Sequence, residues 1–236
     1  MNILFVFLIL LITSCYETAT NHHSQEKKYD LNTHSSDQPN FQLNTSNQID
    51  SIIDLRDGEI YKVITIGNQT WLAENLRYNT PGSMLNLDNP SKAYGRLYNL
   101  ESIARACPVG WHLPTDEEWD KLEFPHGMPD SLRDKDGPRG QHAIIMKFPK
   151  DSDNDTISND NSGFDVLPAG YYAPGNSGFP LPKGYASLGN WATFWSSMQD
   201  SIAIARFMLS DKTFLNKWED HNNETGLALS CRCIQN

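Results

Sequence analysis

Few residues in this 236-residue chain carry side chains that react or ligate. They are four cysteines, seven histidines, the acid run Asp116-Glu117-Glu118, the spaced acids Asp151, Asp153 and Asp155, and aromatics gathered at residues 151–195. Thiolates attack carbonyls or disulfides and bind soft metals. No cysteine stands in a context that supplies it with a positioned histidine base, so nucleophilic catalysis is unsupported. His22, His23 and His34 lie in a polar stretch without the Cys or carboxylate spacing of a metal site, and read as solvated. Asp151-x-Asp153-x-Asp155 has the opening rhythm of a calcium loop, but Thr156 stands at the sixth position and Ser162 at the twelfth, where Gly and Glu are needed. It reads as a polar loop, and no metal or cofactor is expected.

The acid run has a structural explanation. Thr115 followed three residues later by Glu118 is a capping box, and carboxylates in a first turn meet the positive end of the helix dipole. The aromatics Tyr171, Tyr172, Phe179, Tyr185, Trp191 and Trp195 are different: they sit among Gly, Pro, Ser and Asn. Rings among adaptable polar residues suit stacking on sugars or burial in a protein interface. Trp195, in Phe194-Trp195-Ser196-Ser197, reads as the start of a core strand, which leaves Tyr171, Tyr172 and Trp191 as the candidate ligand contacts.

These residues sit on a chain with three parts. Ile3 to Ile12 is apolar but too short for a helix across a bilayer core of about 30 Å. It suits the apolar region of an export signal, although Met1-Asn2 adds no Lys or Arg. Ile12-Thr13-Ser14-Cys15 resembles a lipobox, which implies cleavage after residue 14 and acylation of Cys15. Residues 15–51 are rich in Asn, Ser, Thr, Gln and His and show neither the helical nor the strand period, so they read as a disordered tether. Residues 52–236 form the folded domain. If Cys15 is lipidated, Cys107, Cys231 and Cys233 remain, and in an oxidising compartment three thiols give one disulfide and one spare. The net charge of −10, with Lys27-Lys28 as the single adjacent basic pair, argues against nucleic acid.

Within the domain, Ile60–Ile66 and Gln69–Ala73 flank Gly67-Asn68, a hairpin signal, with Trp71 in its core. A short strand is expected at Tyr94–Tyr98 and a helix from Leu100 to Cys107, ended by Pro108. A second helix follows Pro114, with Trp119 and Leu122 facing inward. Alternation over Ile202–Leu209 predicts a strand, Asp211-Lys212 a turn, Thr213–Trp218 its partner, and Gly226–Ile234 a last strand with Cys231 and Cys233 on one face.

The ordered segments Asp54-Leu55-Arg56-Asp57-Gly58, Ile66-Gly67-Asn68-Gln69-Thr70-Trp71-Leu72-Ala73-Glu74-Asn75-Leu76, Tyr94-Gly95-Arg96-Leu97-Tyr98 and Cys107-Pro108-Val109-Gly110-Trp111-His112-Leu113-Pro114 resemble the Fibrobacter succinogenes major paralogous domain of bacterial envelope lipoproteins. Gly163-Phe164, Leu167-Pro168-Ala169-Gly170-Tyr171 and Arg232-Cys233-Ile234 continue the resemblance, which covers about Ile52 to Asn236. It implies an α+β, C-type-lectin-like domain with two short helices, small antiparallel sheets and a long loop region. It further implies a Cys107–Cys233 disulfide, with Cys231 either a buried free thiol or a competitor for Cys107. In the chain-entropy picture a loop that long contributes on the order of 4–5 kcal/mol. The similar formylglycine-generating enzymes use a copper-binding cysteine pair whose context Cys231 and Cys233 do not match, and the Glu-Pro-Asn and Trp-Asn-Asp motifs of calcium-dependent lectins are missing.

The expected function is therefore a non-catalytic binding or adhesion module, lipid-anchored in the cell envelope at the outer membrane, with a glycan or surface protein as ligand. The alternatives are a structural envelope component without a small ligand, and a degenerate relative of the formylglycine-generating enzymes.

Overall fold

The computed structural model describes residues 50–135, 137–139, 163–164, 166–175, 182–198, 202–209, 215–220 and 226–236. The leader, Cys15, the tether to residue 49, the acids at 151–155, Phe179 and the Asp211-Lys212 turn lie outside the described residues.

Strand β1 (Asp50–Ile53) pairs antiparallel with β2 (Ile60–Ile66), which turns through Gly67 and Asn68 into β3 (Gln69–Leu72). Gly67 takes a φ of 62°, the left-handed conformation that the tight turn needs. The chain then reaches helix α1 (Leu100–Ile103), strand β4 (Trp111–His112) and helix α2 (Asp116–Glu123). The last strand, β11 (Ile234–Gln235), inserts between β3 and β4, so that Ile234 pairs with Trp71 on one side and His112 on the other. The five-stranded sheet thus has the order β1-β2-β3-β11-β4.

A second sheet has the order β5-β10-β9-β8, from Gly137–Pro138, Leu215–Asp220, Ala203–Leu209 and Trp191–Trp195. Strand β9 is buried on both faces, and its period of two sorts its side chains between two cores. Ala203, Ala205 and Phe207 join Tyr98, Trp195, Leu229 and the cysteines. Met208 joins Trp71, Trp119, Phe164 and Phe194, around which α2 packs its Trp119 and Leu122. Trp71, Trp119 and Phe164 meet with ring centroids 5.1–6.0 Å apart. A two-stranded ribbon, β6 (Tyr171–Ala173) and β7 (Gly184–Ala186), completes the α+β arrangement.

Charge also ties α2 to the second sheet. Glu123 accepts from Arg139 Nε at 3.0 Å and from Arg206 Nε at 2.8 Å. Arg139 pairs with Asp120, Arg206 with Asp116, and Lys217 Nζ lies 2.7 Å from Asp116. Three carboxylates face three cations with almost no water contact. Burial pushes Asp120 up to about 6 against the pull of Arg139. Burial acts on Asp116 in the same sense, but Arg206 and Lys217 outweigh it and hold that carboxyl below its ordinary range.

Several expected elements come out differently. Lys92–Tyr94 forms a single 3₁₀ turn capped by Ser91, and Gly95 at φ 72° ends it, so only Leu97 and Tyr98 make isolated bridges where a strand at 94–98 is expected. Helix α1 stops at Ile103, where Ala106 N donates to Ile103 O in a tighter turn instead of to Ser102 O, and Arg56 caps the carbonyls beyond it, donating to Arg105 O at 3.2 Å and Ala106 O at 2.7 Å. The stretch 226–233 is extended but divided among three neighbours, since Ala228, Leu229 and Ser230 bridge Tyr172, Tyr98 and Phe194 respectively. β1 takes in Asp50 and Ser51, which composition assigns to the tether. Among the described residues, no helix is long and apolar enough to cross a membrane.

Candidate functional site

Two places bring functional side chains together. The first is the corner from Cys107 to Trp119. Cys107 and Cys233 form a disulfide, with Cα atoms 5.8 Å apart. At the start of α2, Thr115 Oγ1 accepts from Glu118 N at 3.1 Å and the Glu118 carboxylate accepts from Thr115 N at 2.8 Å, a reciprocal capping box. His112 Nε2 lies 3.0 Å from both Glu118 oxygens, and Nδ1 lies 2.7 Å from Asn236 Oδ1. Both ring nitrogens are therefore engaged within the frame, and they join the C-terminus of the chain to the helix start.

All three acids of the run have side-chain partners: Asp116 has Arg206 and Lys217, Glu117 has Lys121, and Glu118 has His112. Beside this corner is a cavity of about 400 Å³ lined by Leu100, Ile103, Leu113, Ser196, Ser197 and Met198, with His112 and Thr115 at its wall. The Ser196 hydroxyl donates to Pro114 O at 2.9 Å, which spends its proton on the backbone. Among the described residues, the grouping of ligand-type atoms that fits a metal is the three cysteines, and two of their sulfurs are bonded to each other.

The second place is the β6–β7 ribbon, where the three predicted ligand contacts take different positions. Tyr171 is fully buried in the first core, its ring 5.9 Å from Trp191 and its hydroxyl 3.4 Å from Pro182 O. It offers no surface to a ligand and serves as the anchor of the ribbon. Trp191, half-buried, packs edge-on against Phe207 at 6.1 Å. Tyr172, also half-buried, alternates with Tyr171 to the opposite face and pairs with Tyr185 across the ribbon, centroids 5.0 Å apart.

Tyr185 is the partner that sequence reasoning did not single out. It is one of six aromatics in its region, and only the register Tyr172↔Tyr185 distinguishes it. Burial, with contributions from Tyr172 and Asp88, raises the Tyr185 hydroxyl above its ordinary value, so it remains a donor at neutral pH. Asp88 itself is exposed. Its loop is held to the ribbon by Asn86, whose Nδ2 donates to Ala169 O at 3.0 Å. At the base of the ribbon, Gly170 leaves no room for a side chain: a Cβ would lie 2.3 Å from Ala186 O.

The fold and these two sites define a sheet-rich α+β domain whose helix corner is a disulfide-locked frame and whose ribbon presents paired tyrosines. The chain belongs to the Fibrobacter succinogenes major domain family, whose model matches residues 64–235. No curated protein and no solved structure matches it.

Proposed function

We propose that this chain is a lipid-anchored cell-envelope protein, with a C-type-lectin-like module that binds a glycan without catalysis. Acylation at Cys15 would hold it to a membrane, the outer membrane in this reading, with residues 15–51 as the tether. The observation that carries the ligand reading is the Tyr172–Tyr185 pair on the β6–β7 ribbon. Two tilted rings present apolar faces to the C–H side of a pyranose, while tyrosine hydroxyls exchange hydrogen bonds with its hydroxyls. The use of His112, Glu118 and Ser196 within the frame supports the non-catalytic part of the proposal.

The test is a polysaccharide pull-down and glycan array with the mature chain, repeated with Tyr172→Ala, Tyr185→Ala and Trp191→Ala. Loss of one stacking ring lowers affinity by about tenfold, on the order of 1 kcal/mol. Binding that ignores both tyrosine substitutions removes the ribbon from the site. Cys15→Ala should release the protein from the membrane fraction. If the variant stays there with an uncleaved leader, the anchor proposal fails. A protein ligand is the second reading, favoured by Ile53, Leu55 and Ile60, which are 60%, 93% and 58% exposed around the β1–β2 hairpin at the edge of the first sheet.

A further inference from the structure

Cys231 lies against the bond between Cys107 and Cys233. Its Sγ is 3.9 Å from Cys107 Sγ and 3.7 Å from Cys233 Sγ. The two strand cysteines are fully buried, and Cys107 is partly exposed. They also differ in how firmly the backbone is held. Leu76 N donates to Cys231 O and Leu72 N to Cys233 O, both at 2.9 Å, so these two backbone bonds in the extended stretch before β11 hold the sulfurs side by side. Cys107 sits in the bend after α1, before Pro108, with no regular element to hold it. One adaptable cysteine therefore faces two fixed partners.

Chain entropy does not choose between them. The closed loops have sequence separations of 126 for Cys107–Cys233 and 124 for Cys107–Cys231, and loop entropy varies only with the logarithm of length. The selection of Cys233 rests on local packing alone.

We infer that Cys107 is a thiol-exchange site at which Cys231 and Cys233 are alternative disulfide partners. Cys231 gives up its proton and its sulfur attacks Cys107 Sγ. The Cys107–Cys231 bond forms as Cys107–Cys233 breaks, and the electron pair leaves on Cys233 Sγ, which takes up a proton. Nothing is oxidised or reduced overall. A small external thiol uses the same site: it attacks the partly exposed Cys107, forms a mixed disulfide and releases Cys233. Either strand thiol then attacks Cys107 and expels it.

Two features hold the exchange in check in the closed fold. The nearly equal distances place the Cys231 sulfur beside the bond, whereas displacement at sulfur requires approach along its axis. Burial also pushes the Cys231 thiol up and keeps it protonated. Exchange therefore follows local opening of the 107 bend or of the last strand, and speeds up under conditions that loosen either.

The test uses the full chain in a glutathione redox buffer, with acid quenching, alkylation and tryptic mapping. Arg232 lies between Cys231 and Cys233, so trypsin puts them on separate peptides. In wild type at sub-denaturing urea, chains with alkylated Cys233 and a Cys107–Cys231 linkage should rise to about a tenth or more of the population, since loop entropy favours neither isomer. Alkylation confined to Cys231 at every urea concentration and time overturns the inference. Cys233→Ser should oxidise to a Cys107–Cys231 disulfide, and a folded variant that keeps both thiols free also overturns it. If that variant does not fold, the wild-type experiment decides. In Cys231→Ser, glutathione on Cys107 should persist several-fold longer than in wild type, and an unchanged lifetime removes Cys231 from the resolving role.

Discussion

Replacing Glu123 by Gln tests what holds α2 to the second sheet. Glu123 has no exposed surface and accepts from Arg139 and Arg206 at 3.0 and 2.8 Å, so it links the helix to β9 and to the segment that follows β5. Asp116, Asp120 and Glu123 face Arg139, Arg206 and Lys217, and Lys217 also pairs with the partly exposed Glu219 at 3.2 Å. Glutamine keeps the shape but removes the charged acceptor that the fully buried Arg139 and Arg206 share. Breaking a buried pair from one side costs about 3–5 kcal/mol, because the remaining charge is neither solvated nor matched. With a urea m-value of about 2 kcal/mol/M, the unfolding midpoint should fall by about 1.5–2.5 M. Glu117→Gln on the same helix is the control. Its pair with Lys121 is 71% and 52% exposed and should shift stability by less than about 0.5 kcal/mol. Urea titrations followed by tryptophan fluorescence read both variants, since Trp119 lies in the same helix. A Glu123→Gln loss below about 1 kcal/mol would mean that the cluster is hydrated and the buried-charge reasoning wrong.

The neighbouring Asp120 predicts a pH dependence. Its folded value of about 6 lies above the ordinary 3.8, so the native state binds the proton more tightly than the unfolded chain. Its contribution is complete below about pH 4 and is lost as pH rises through about 6. Urea midpoints from pH 4 to 7 should show wild type losing stability relative to Asp120→Asn as pH rises, and a wild type that gains on the variant with pH reverses the sign and refutes the assignment. At the ribbon, Gly170→Ala would bring a Cβ within 2.3 Å of Ala186 O and 2.8 Å of Leu188 N, both backbone atoms, at a φ of 69°. It should cost well over the roughly 1–2 kcal/mol expected of Gly67→Ala, whose φ is also positive but whose surroundings are open. Equal losses in thermal unfolding would show that the ribbon yields freely.

How much of this was legible in the sequence follows from the range of each interaction. The β2–β3 hairpin and the α2 capping box are closed by residues within a few positions of one another, and both form where residue type and spacing place them. The ends of α1 and the last strand depend on distant groups. The turn that follows α1 is capped by Arg56, about 50 positions away, and three separate neighbours divide the stretch after Gly226. Alternation over Ile202–Leu209 shows a strand, but nothing local shows that Arg206 meets acids on α2, 83 to 90 positions earlier. The ribbon strands have three residues each, too few for a period of two to stand out, so the register that pairs Tyr172 with Tyr185 is invisible until the strands are folded together.

The residues that carry the family resemblance explain why the fold is easier to read than the ligand. The Asp54 carboxylate is bound by Arg56, whose other donors cap the Arg105 and Ala106 carbonyls after α1. Asn75 donates to Tyr94 O at 3.0 Å and accepts from buried Arg232 Nε at 3.0 Å, so three separate motifs interlock at one side chain. Arg96 is tied to Ser83, Thr115 to Glu118, and Trp195 Nε1 donates to Tyr98 O at 2.6 Å. The contacts of Asp54, Asn75, Arg232 and Trp195 satisfy polar groups that would otherwise be buried unpaired at a cost of about 1–3 kcal/mol, which fixes both residue type and position. A surface tyrosine meets no such requirement from the fold. Tyr172 and Tyr185 are constrained by each other and by whatever rests on them, and a sequence pattern built on buried contacts has no term for either. The motifs therefore report the frame, and the proposed contact at the ribbon is a matter for substitution.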